Sequence, residues 1–288
     1  MTSRIASRRP KISLRSSHYL TVFAALSLLL VFACGPAPPQ RGTPAFYWGA
    51  AKEAYAFGDF MKTIDHLDNI LESDNDYTAR AFPWSLVATS GLASGYMELA
   101  DQYAAGAKAN KEASASFSRQ VSRYRGLASH LTLRFADAFA KFGKSKEDPV
   151  TLAFALPPGT ASPVPQLATV AKGSLLPAAT AEAAEKAALE RGILLAALRA
   201  AGAPEDPAKG EQILKAGEGK VARATFLLAM AHTLYEESQL YDRRRENDSQ
   251  KRLILCQRAQ DVLKALPESP ETKALNLKIQ IVLTEPRT

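Results

Sequence analysis

In this chain of 288 residues the side chains that could donate, accept or attack are few. The thiols are Cys34 and Cys256, and the imidazoles downstream of Cys34 are His66, His130 and His232. None of these histidines has a second histidine or a cysteine at metal-ligand spacing, so no metal site is expected. The sequence holds no GxGxxG turn, phosphate-binding loop, HExxH or GxSxG elbow, which removes the commonest nucleotide-binding, metalloprotease and hydrolase signatures. Paired carboxylates remain: Glu236 with Glu237, and Glu182 with Glu185. No apolar pocket is implied that would raise one pKa of either pair, so both read as solvated faces. His66 reads as a surface residue, and His130 and His232 as interior or boundary histidines beside apolar stripes. Phe46, Tyr47 and Trp48, with Phe82 and Trp84, read as inter-helix core, because aromatic side chains dominate core burial. These residues point to no catalytic group, no cofactor and no enzyme.

Cys34 is the exception, because of what precedes it. Leu20 to Ala33 is a run of 14 residues in which only Thr21 and Ser27 are polar. A permanent helical span needs ~20 apolar residues, whereas an export signal needs an apolar region of ~7–15. Arg4, Arg8, Arg9, Lys11 and Arg15 supply the positive flank, with no acidic residue among them. Val31-Phe32-Ala33-Cys34 resembles the lipobox of bacterial lipoproteins, with an aliphatic residue, a small residue and then the cysteine in their places. Phe32 is bulkier than the residue usual at its position.

The resemblance implies a signal peptide over residues 1–33, with Val31, Phe32 and Ala33 read by the signal peptidase. It further implies acylation of Cys34 and attachment to a lipid bilayer through it. Gly35 after the cysteine implies, by the same resemblance, an outer membrane and a chain facing the periplasm. More than one acyl chain makes such anchorage stable.

Cleavage there would change the meaning of the charge. The chain has 36 basic and 29 acidic residues, but five basic and no acidic residues precede Cys34. The remainder is nearly balanced, so the high pI is no nucleic-acid footprint. With Cys34 acylated, Cys256 stands alone and reads as a small buried hydrophobe.

The elements beyond the signal read as all-α. Residues 34–43 form a Pro/Gly-rich tether. Residues 44–143 read as an N-terminal helical lobe. Its first hairpin carries Phe60, Ile64, Leu67 and Leu71 as one stripe around a turn at Gly58-Asp59. This hairpin resembles a tetratricopeptide repeat, with Gly58 on the turn glycine, Phe60 and Tyr47 on aromatic positions, and Asn75 where the closing proline would stand. A second degenerate copy places Gly95 on the turn glycine and Trp84 on the opening aromatic. Phe117, Val121, Tyr124, Ala128, Leu131, Phe135, Ala138 and Phe142 then predict one long helix from Ala113 to Phe142, with its arginines solvated.

Residues 144–177 hold six of the 17 prolines and read as an irregular insertion packed over the helices and dividing two lobes. Alternation from Val150 to Leu156 reads there as a short strand or extended segment. Residues 178–288 form the C-terminal helical lobe, its last segment read as a helix started by Ser269-Pro270-Glu271. The expected architecture is a tetratricopeptide-like helical hairpin array of the α-solenoid type. The expected function is a lipid-anchored helical scaffold binding an envelope protein or peptide on a concave surface. The alternative is a small-ligand-binding or transport-accessory lipoprotein with an apolar channel between the lobes, a resemblance to the tetratricopeptide-like lipoproteins of tripartite ATP-independent periplasmic transporters.

Overall fold

The structure is a computed structural model that describes residues 39–214, 218–243 and 245–285. Val31, Phe32, Ala33 and Cys34 lie outside the described residues. Arg41–Thr288 forms one compact unit. The described residues are all-α apart from one two-stranded ribbon.

Helices α1 (Pro44–Ala56) and α2 (Phe60–Leu71) make the expected hairpin. Thr43 accepts from the Phe46 N–H and Asp59 from that of Lys62, so each helix starts on a side-chain cap. Between them Gly58 takes a φ of +79°, a left-handed value that glycine adopts without strain. Phe60, Ile64, Leu67 and Ile70 face the core. Asn75 ends the hairpin by polar means: its side chain donates to the carbonyls of Ile70 and Ser73 and accepts from the Tyr77 N–H.

Next comes α3 (Thr78–Ala109), 32 unbroken residues. It overturns the second hairpin, because Gly95 lies in the middle of the helix and not in a turn. At 1.5 Å per residue it is about 48 Å long. Nearly every residue from Ala81 to Gly95 is buried, which makes it a core helix surrounded on all sides. Helix α4 (Ser114–Phe142) returns antiparallel: Phe82 meets Phe142 at one end, and Tyr103 meets Phe117 at the other. The expected stripe is its buried face, with Val121 and Ala138 at the margin.

The proline-rich segment is docked. Strand β1 (Val150–Leu152) pairs antiparallel with β2 (Gly219–Val221), Val150 opposite Val221. Phe154 stacks on Trp84, and the Tyr55 hydroxyl donates to the carbonyl of Ala155 at 3.0 Å. Short helix α5 (Pro165–Ala171) buries Leu167 and Val170 against α3. Gly106 permits this approach, since a Cβ there would run into the carbonyl of Val170.

Helix α6 (Ala178–Ala200) then lies antiparallel along α3. Gly91 and Gly95 on α3 face Gly192 and Ala188 on α6. A Cβ on Gly91 would stand 2.5 Å from the Cα of Ile193, and one on Gly95 2.9 Å from the Ala188 carbonyl. Backbone therefore packs on backbone, which only small residues allow. The expected division into two lobes is corrected by this contact: α6 shares the core of α3, and one continuous apolar cluster runs from Trp48 to Val282. Helices α7 (Pro207–Leu214), α8 (Arg223–Ser238), α9 (Ser249–Leu263) and α10 (Pro270–Thr284) complete the chain. Ser269 and Thr272 form a reciprocal capping box at the start of α10, as its sequence predicts.

Candidate functional site

Because α3 and α6 touch through glycine, the side chains flanking the contact are pushed to either side of it. A cleft of about 350 Å³ opens between α3, α6 and α8, lined by Ser94, Glu98, Asp101, Arg191, Arg199 and Glu236 among others. Its charges are matched. Arg191 donates to Glu98 at 2.6 Å and to the Ala161 carbonyl at 2.9 Å. Arg199 bonds Glu236 at 2.6 Å and the Thr233 hydroxyl at 2.9 Å, and Asp101 accepts from Arg245. The Nδ1 of His232 lies 3.3 Å from Glu236, at an angle short of hydrogen-bond geometry. Burial pushes Glu236 upward, but His232 and Arg199 outweigh it and hold its carboxyl below the usual range. With every cation answered by a carboxylate, this cleft fastens three helices together.

The other side of α6 differs. A groove of about 500 Å³ runs between the first half of α4 and the start of α6, lined by Tyr103, Ser116, Arg119, Gln120, Arg123 and Leu175 among others. Tyr103 lines it and belongs to a tyrosine cluster: the Tyr124 ring lies 6.0 Å from that of Tyr96 and 5.5 Å from that of Tyr103. The Tyr124 hydroxyl donates to Glu185 at 2.9 Å, and Arg123 bonds the other oxygen of that carboxylate at 3.1 Å. Burial, helped by Glu185, raises the pKa of all three tyrosines, so the hydroxyls stay protonated as donors. Arg119 bonds the Ser116 hydroxyl at 3.2 Å and has no carboxylate partner among the described residues. The side-chain oxygen of Gln120 is buried and has no hydrogen-bond partner among the described residues.

The carboxylates read from the sequence as solvated divide. Glu182 and Glu236 are exposed, whereas Glu185 is the anchor of the tyrosine cluster. Glu237 is 1% exposed, and among the described residues neither of its oxygens has a hydrogen-bond partner. Burial drives its pKa well above the carboxylate range, and the nearby Thr132 hydroxyl opposes this without reaching hydrogen-bond geometry. The helical periodicity of α8 carried the signal, because Glu237 falls three residues after Leu234 on the buried face. His130 is exposed, a correction of its interior reading, while His66 lies half-buried beside the ring of Tyr47 and His232 is half-buried. Trp48 and Trp84 meet edge to face in the core, 5.3 Å apart, as the aromatic grouping predicts. Cys256 is fully buried next to the Ser238 hydroxyl.

Among the described residues no group of three or more His, Cys, Asp or Glu side chains is placed to hold a metal ion. Among them, too, no helix is long and apolar enough to cross a membrane. Comparison with protein-family models, with curated proteins and with solved structures finds no match to this chain.

Proposed function

We propose that this chain is a lipid-anchored helical scaffold, held by acylated Cys34 in a bacterial envelope, at the outer membrane facing the periplasm, and binding a protein or peptide partner. The observation that carries the partner reading is the groove beside α6. It combines exposed Leu175 with the guanidinium groups of Arg119 and Arg123. Open grooves of mixed lining suit an extended peptide, whose backbone and side chains need both kinds of contact. Anchorage rests on the apolar run and the lipobox resemblance at Val31 to Cys34. The tetratricopeptide resemblance is kept for the α1–α2 hairpin, where Gly58 holds the turn.

Two measurements test the proposal. A photo-crosslinking amino acid placed at position 175 should yield a discrete adduct in the native envelope, identified by mass spectrometry; no adduct there would refute the partner reading. Cys34→Ala should abolish incorporation of radiolabelled palmitate, and unchanged labelling would refute the anchor.

A further inference from the structure

In the groove between α4 and α6 the charged lining residues, Arg119 and Arg123, are both cations. The cleft beside α7 is lined by Glu211, and the one beside the α1–α2 turn by Glu182, Glu185 and Lys186. The cleft between α3, α6 and α8 holds its arginines in ion pairs. In the groove, Arg119 and Arg123 stand one helical turn apart, and only Arg123 has a carboxylate, which it shares with Tyr124. Leu175, 47% exposed, and Leu176 form the apolar edge. The first turn of α6 carries no acidic residue, and Glu185 further along it is held by Arg123 and Tyr124.

We infer that this groove receives an acidic peptide segment: a carboxylate on Arg119 and Arg123, and a neighbouring apolar side chain against Leu175 and Leu176. The inference rests on the scaffold reading and names the chemistry of its partner. An arginine fork matches a carboxylate bidentately. Leu175 and Leu176 beside the arginines ask for an apolar side chain next to the acid, which a peptide supplies and inorganic phosphate does not.

The test selects from a random dodecapeptide display library against the full chain in detergent, then titrates dye-labelled copies of the enriched peptides. Enriched peptides should carry Asp or Glu beside an aliphatic or aromatic residue. Their affinity should fall about tenfold or more in Arg119→Gln, and equally when the acid is replaced by its amide. Arg119 is exposed, so the variant should keep the wild-type melting curve. Enriched peptides that lack an acid, or that bind Arg119→Gln equally well, overturn the inference and leave the scaffold. No enrichment overturns both. Binding to phosphatidylglycerol vesicles that is lost in Arg119→Gln, without peptide binding, overturns the inference in favour of a membrane surface.

Discussion

Helix α3 presents two faces built on opposite rules. Toward α6 it offers Gly91 and Gly95, and the contact is backbone on backbone. Toward α4 it offers Phe82, Tyr96 and Tyr103, and the contact is ring against ring. The first face is intolerant of added atoms and the second of removed ones. A single helix can therefore be a hub only if its neighbours approach to different distances, and the residue sizes on each face set those distances.

The largest test of the contrast adds atoms to the close face. A Cβ on Gly192 would collide with the carbonyl of Gly91, so Gly192→Leu must separate two backbones rather than shift a side chain. It should abolish cooperative unfolding in a thermal melt; a cooperative melt near the wild-type midpoint would show that the crossing has slack. Second comes removal from the wide face. Phe135 on α4 is fully buried and stacks with Phe139. Phe135→Ala should cost ~3–5 kcal/mol in denaturant titration, and a loss below ~1 kcal/mol would break the rule for that face.

A smaller effect tests whether the α4 side is uniformly apolar, since Glu237 lies buried near Thr132 there. Its folded pKa is raised above its unfolded value. The stability it permits is thus complete below the ordinary carboxylate pKa of ~4.3 and is lost as pH rises toward the folded value. Relative to Glu237→Gln, the wild type should weaken by up to about 1.4 kcal/mol per pH unit above that range. Parallel stability profiles from pH 4 to 8 would show that the carboxyl is better solvated than its surroundings imply.

What was legible in the sequence follows the same division. The boundaries of α4 could be read from its apolar stripe, although Arg125 and Arg134 are half-buried in ion pairs, and α10 because Ser269-Pro270-Glu271 marks its start. Helix α3 was misread as two because a helix buried on all sides has no polar face to display its period. Gly95 then took the meaning of a turn, although its freedom from a Cβ was being used for a close crossing. The groove was hidden for a different reason: Arg119 and Arg123 look like any solvated arginines until α6 is laid beside them. The docking of residues 144–177 was visible in their apolar content, as Phe154 on Trp84 illustrates.

The two faces of α3 also differ in how far the chain must travel to make them, which gives the molecule an order of assembly. Helix α4 follows α3 after only residues 110–113, whereas Gly192 meets Gly91 from about a hundred positions downstream. Contacts between sequence neighbours cost less loop entropy and form sooner. The ring-lined hairpin is thus expected to form first and the glycine crossing to close late, as a seal. Phe135→Ala should then mainly slow folding, while Gly192→Ala should mainly speed unfolding, a separation that the two arms of a chevron plot report directly. The face with the tightest contact in the native protein would be the first to part.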